Sequence, residues 1–150
     1  MADSTDVLLK LCETRWAEVK QAEDQRSALS NIILLIASAI VGIFTQKGLD
    51  RSSLPLALLL IFLGIYGTIA SRKYRERIHY SLSILKLYRD QLNELYPDAQ
   101  IEERRLQAKE FHEKRHPFMT KIPPNHLWVA LHLSIAIAGC ILTIFILSLR

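Results

Sequence analysis

One run of five residues, His112-Glu113-Lys114-Arg115-His116, matches H-E-x-x-H. On a helix the two histidines share a face and can hold zinc, with Glu113 as general base. The surroundings argue against hydrolysis. Lys114 and Arg115 belong on a solvated surface, and Pro117 ends any helix directly after the second histidine. No third ligand stands out nearby. The expectation is a solvated helix end, with no enzyme activity, no cofactor and no bound metal. Zinc hydrolysis is kept as a remote alternative.

His132 differs, because it lies inside a long stretch without charge. An ionisable group in such a stretch faces other helices or water. Two readings follow: a histidine bonded to a neighbouring helix, or a pore-lining, proton-sensitive position. Asn31 is the partner of matching depth. Small residues recur around it at packing intervals: Ala130, Ser134 and Ala138 four apart, with Gly139 and Thr143 beyond. Ser38 and Gly42 stand earlier in the chain, as do Gly64, Gly67 and Thr68. Where no hydrophobic drive pulls helices together, such faces let backbones approach closely. Three helices offer few partners for three such faces, so a homo-oligomer is expected.

Arg72, Lys73, Arg75 and Arg77 form a basic cluster at the end of another uncharged stretch. They are expected to anchor to anionic lipid and to set orientation. An anionic cytoplasmic ligand such as a nucleotide second messenger is the alternative, with Tyr74 and His79 beside it.

These residues are positioned by elements that the charge distribution marks out. The chain has 150 residues, a net charge of +4, 50% hydrophobic and 23% charged residues. Such averages suit a soluble domain. The pattern does not, because 27–46, 52–71 and 122–149 contain no Asp, Glu, Lys or Arg, and all 34 charges fall in the other 82 positions. Stretches that are apolar all round are what lipid selects. Two cysteines, Cys12 and Cys140, make no disulfide framework. The first 26 residues alternate acids and bases and lack the apolar core of a signal peptide. The basic excess is assigned to membrane orientation, not to nucleic acid.

The reading is an all-α integral membrane protein with three transmembrane helices and a cytoplasmic helical bundle or stalk. Spans are expected at about 28–45, 54–71 and 127–149, reaching ~27, ~27 and ~34 Å against a hydrocarbon core of ~30 Å. The corresponding regions are 1–27 (cytoplasmic amphipathic helix), 28–71 (transmembrane hairpin), 72–121 (cytoplasmic helical hairpin) and 122–150 (third span). Three spans put the N-terminal tail and the 72–121 segment on one side. That side carries 16 Lys and Arg; Lys47, Arg51 and Arg150 make 3 on the other. The N-terminus is thus expected in the cytoplasm and the C-terminus outside.

Within the cytoplasmic part, Leu8, Leu11 or Cys12, Trp16, Val19 and Ala22 form an apolar stripe, capped by Asp3 or Ser4. This helix has no Gly or Pro between it and the first span. The second span continues as a stalk in which Tyr74, Ile78, Leu82, Leu85, Tyr88, Leu92 and Leu95 recur at steps of three and four. Pro97 ends it, and Asp98 caps a returning helix that buries Ile101, Ala108 and Phe111. Pro123-Pro124 then turns the chain into the third span.

A charged N-terminal helix (Thr14-Arg15-Trp16 through Arg26) leads into a tight hairpin, then into Arg72-Lys73-Tyr74-Arg75-Glu76-Arg77 and Tyr88-Arg89-Asp90-Gln91-Leu92. Over about residues 5–96 this layout resembles the small SLATT-type membrane effectors of bacterial conflict systems. The third span departs from their two-span plan. The resemblance implies oligomerisation in a bacterial inner membrane, and permeabilisation of that membrane on an upstream signal. The leading expectation is therefore a non-enzymatic effector that assembles through its spans and disrupts the bilayer. The alternative is a membrane anchor or accessory scaffold whose cytoplasmic helices recruit a soluble protein.

Overall fold

The computed structural model describes residues 4–121 and 123–148. Asp3, Ile122, Leu149 and Arg150, which the sequence reading used as a cap, as the ends of an uncharged stretch and in the charge count, lie outside the described residues. Every regular element among the described residues is helical: α1 (Ser4–Lys47), α2 (Leu54–Leu95), α3 (Ile101–Arg115) and α4 (Pro124–Ser148), with single 3₁₀ turns between them. Three of these, α1, α2 and α4, are long and apolar enough to cross a membrane. The chain divides into two compact units, Met1–Glu23 with Glu76–Pro123, and Asp24–Arg75 with Pro124–Arg150.

α1 runs 44 residues without a break, ~66 Å of helix. It stops at Gly48, whose φ of +80° is the left-handed conformation that glycine adopts without a Cβ penalty. The Gly48 N–H donates to the Phe44 carbonyl at 3.0 Å, closing the last turn. Asp50 then caps the turn Arg51–Ser53: its Oδ1 accepts from the Ser53 N–H at 3.0 Å and from the Ser52 hydroxyl at 2.7 Å. The Ser52 hydroxyl and the Ser53 hydroxyl, which donates to the same oxygen at 3.0 Å, hold the Asp50 carboxyl below the usual carboxylate range. Pro55 sits in the first turn of α2, where its missing N–H has no helical acceptor to lose.

In the unit that contains the uncharged stretches, each helix buries one narrow seam. On α1 it is Ser30, Ile33, Ala37, Ile40 and Phe44; on α2 and the turn before it, it is Ser53, Ala57, Leu60, Gly64, Gly67 and Ser71; on α4 it is Asn125, His132, Ala136, Gly139 and Ile146. The α1 and α2 positions alternate in steps of three and four, the period of helices that cross at a shallow angle. Most α2 members are small, which brings backbones together. A Cβ on Gly64 would come within 2.6 Å of the His132 carbonyl and 2.7 Å of the Ala136 Cβ. One on Gly139 would come within 2.8 Å of the Ile61 amide and 3.0 Å of the Ala57 carbonyl. Many large side chains, including Leu35, Phe62, Ile69, Ile141 and Ile144, are exposed outside these seams.

In the other unit, Leu8, Val19 and Ala22 of α1 and Ile78 and Ser81 of α2 are buried. Trp16, expected in the stripe, is 60% exposed. The half-buried Arg15 takes its place one position earlier, donating to Glu18 at 2.8 Å, and Glu18 also accepts from the Ser81 hydroxyl at 3.3 Å. On α2 the steps of three and four continue through Tyr74, Ile78, Ser81, Leu85, Tyr88 and Leu92, so Leu82 falls outside the seam; Leu95 is in step with it but is the last residue of the helix, and both are exposed. Ser81, not its apolar neighbour Leu82, is the buried residue.

The start of α3 corrects a second expectation. Asp98 lies inside a 3₁₀ turn, Pro97–Ala99, and the cap position belongs to Gln100, whose side chain makes no cap bond. The Glu102 amide instead finds Asn93 Oδ1 on α2 at 3.2 Å. Glu102 pairs with Arg105, which lowers its carboxyl below the usual range, and with Arg89 at 3.5 Å. No residue of α3 is buried: Ile101 is half-buried, while Ala108 and Phe111 are exposed. α3 is therefore held by its N-terminal turn and carries no packed face. Its end at Arg115, before His116-Pro117, is where proline forbids continuation.

Candidate functional site

The polar group most unusual for its surroundings is His132. It is 1% exposed, and its Nε2 lies 3.0 Å from the Ser30 hydroxyl oxygen of α1. The partner is Ser30, not the expected Asn31, which is exposed one residue further along. A helix turns about 100° per residue, so that single step moves a side chain from seam to outside. The other ring nitrogen, Nδ1, is buried without a hydrogen-bond partner and faces Gly67 of α2. A Cβ at Gly67 would lie 2.6 Å from the imidazole Cγ and 2.8 Å from Cε1. Ser30, Gly67 and His132 thus make one layer from three helices. One turn away on two of these helices, the Arg26 guanidinium stands 5.4 Å from the centre of the Trp128 ring, within cation–π range.

The small residues separate into two sets. Gly64, Gly67 and Gly139 are buried between α2 and α4, where they allow close approach within the chain. Ala130, Ser134, Ala138 and Ser38 are exposed, and Gly42 is half-buried with nothing within 4 Å of its Cβ position. The Ser38 hydroxyl donates to the Leu34 carbonyl at 2.8 Å and the Ser134 hydroxyl to the Leu131 carbonyl at 2.7 Å. Each is satisfied by its own helix and asks nothing of a neighbour. Ser38 and Val41 of α1, Ala138 and Leu142 of α4 and the buried Leu60 of α2 line one apolar groove of about 310 Å³.

Of the basic cluster, Arg72, Lys73 and Arg77 are exposed and Arg75 is half-buried. The His112 and His116 rings lie 5.2 Å apart, centre to centre, both exposed. Among the described residues no group of three or more His, Cys, Asp or Glu gathers in a way that holds a metal.

Sequence reasoning missed Ser30, Ala57, Ser71 and Ala136, all buried in the seams. For Ala57 and Ser71 the signal is the alternating step of three and four through 53, 57, 60, 64, 67 and 71, which an overall hydropathy pattern hides. The chain matches no protein-family model, no curated protein and no solved structure.

Proposed function

We propose that the protein is a non-enzymatic membrane effector that inserts three spans, self-associates and perturbs the bilayer when signalled. The supporting observation is the division of its small residues. Gly64, Gly67 and Gly139 serve packing inside one chain, whereas Ser38 and Ala138 line an outward apolar groove beside Ser134 and Ala130. Small outward residues with internally satisfied hydroxyls suit a neighbouring helix in lipid, where packing supplies the attraction. In this reading His132 holds the three helices of one subunit together and does not line a path. The basic residues Arg72, Lys73, Arg75 and Arg77 anchor the inner leaflet or receive an anionic signal. The N-terminus is cytoplasmic, the C-terminus is outside, and the compartment is the bacterial inner membrane that the SLATT-like layout implies.

Subunit counting by native mass spectrometry in nanodiscs tests this reading. Wild type is expected as a tetramer or larger ring, and Ser134→Leu as a smaller species that still inserts and no longer releases dye from vesicles. A monomeric or dimeric wild type, or a fully active Ser134→Leu protein, overturns it. The scaffold reading draws on a different observation: α3 has no buried residue and exposes Leu106 and Phe111. It predicts that Phe111→Ser impairs function while substitutions in the outward groove do not.

A further inference from the structure

The turn after α3 holds two large apolar side chains away from the protein. Phe118 is 74% exposed and its neighbour Met119 is 70% exposed. The turn itself is well bonded. The Thr120 amide and hydroxyl both donate to the His116 carbonyl at 3.1 Å, and the Lys121 amide donates to the Phe118 carbonyl at 3.2 Å. Pro117 fixes φ just before it. Backbone bonds thus present the pair, and apolar area held in water is unfavourable.

Charge around the pair is net positive. From 109 to 121 there are four bases and two acids. Both acids are occupied along α3, Glu110 by Lys114 at 2.8 Å and Glu113 by Lys109 at 3.7 Å. Arg115 and Lys121, which flank Phe118 and Met119, make no ion pair among the described residues. Met119 stands five residues before Pro124, where α4 begins. Five residues span at most ~18 Å of chain, so the pair stays close to the start of that helix.

We infer that the Phe118–Met119 turn is a membrane-surface anchor, its two side chains inserted at the headgroup level of an anionic leaflet with Arg115 and Lys121 on the phosphates. Exposed apolar residues flanked by bases are what an anionic interface attracts, and a short linker to a spanning helix lets them reach that depth. The inference rests on the reading that α4 crosses the bilayer, and it gives the turn a partner of its own, the lipid surface.

The test uses the full chain carrying Cys12→Ser and Cys140→Ala in vesicles of phosphatidylglycerol and phosphatidylcholine. A nitroxide is placed in turn on Met119→Cys, Glu110→Cys and Ile144→Cys, and depth is read by power saturation with oxygen and a water-soluble nickel chelate. The expected order is Glu110 in water, Met119 at the headgroups and Ile144 in the hydrocarbon. The Met119 label should move outward in Arg115→Glu/Lys121→Glu. A Met119 label as open to the chelate as Glu110, with Ile144 still deep, overturns the anchor and leaves the span. An Ile144 label in water overturns both. Equal Met119 depth in pure phosphatidylcholine overturns the assignment of an anionic surface.

Discussion

Gly67 is the surface on which the His132 ring lies, and the two residues fit only because position 67 carries no side chain: a Cβ there would stand 2.6 Å from the imidazole Cγ. The same ring reaches Ser30 on α1 through Nε2 at 3.0 Å. One residue of α4 thereby bonds to one neighbouring helix and packs flat on another.

Gly67→Ala should destabilise the protein through overpacking, by about 1–3 kcal/mol. Gly42→Ala is the matched control, because nothing lies within 4 Å of its Cβ position. Unfolding in mixed micelles of increasing denaturing detergent should show a loss for the first and none for the second. Equal behaviour would remove the close contact as an energetic feature.

The Ser30–His132 bond should appear as coupling in a double-mutant cycle. Ser30→Ala, His132→Phe and the double variant are expected to give an interaction of about 0.6–2 kcal/mol, the range of hydrogen bonds between helices in lipid. Asn31→Ala, at an exposed position, should show no coupling to His132.

Asn93→Ala removes the side chain that accepts from the Glu102 amide. α3 has no buried residue, so little else holds its first turn. Losing that acceptor should cost about 1 kcal/mol, as for other caps, and the effect should be local. Hydrogen exchange at 102–104 is expected to accelerate about fivefold while exchange within α4 is unchanged.

Acid should weaken the α3 junction at Glu102. Arg105, then Arg89 and Lys86, hold the Glu102 carboxyl below its ordinary range. A group whose folded pKa is depressed contributes stability above its unfolded pKa, about 4.3, and loses it as pH falls through the folded value. Exchange at the start of α3 should therefore rise below about pH 4. Glu102→Gln should remove this pH dependence, and salt should reduce it because the pair is partly exposed.

The charge-free stretches at 27–46, 52–71 and 122–149 by themselves determine three helices apolar enough to cross a membrane, because composition requires no partner to be read. Pro117 and Pro124 likewise mark the end of α3 and the start of α4 through their own covalent geometry. Hydropathy alone does not tell which face each helix buries. Leucine and isoleucine surround α2 on all sides, so hydrophobicity carries no phase, and the seam follows the small residues from Ser53 to Ser71. Ser30 over Asn31, Ser81 over Leu82 and Arg15 over Trp16 are single-residue steps that only the packed neighbours decide. The same holds for the glycines and alanines. Spacing shows that they permit close approach, but only the tertiary structure turns Gly64, Gly67 and Gly139 inward and leaves Ser38 and Ala138 lining an outer groove. A small side chain allows contact with any helix, and the choice between its own chain and another surface is made by the rotation at which three whole helices pack best.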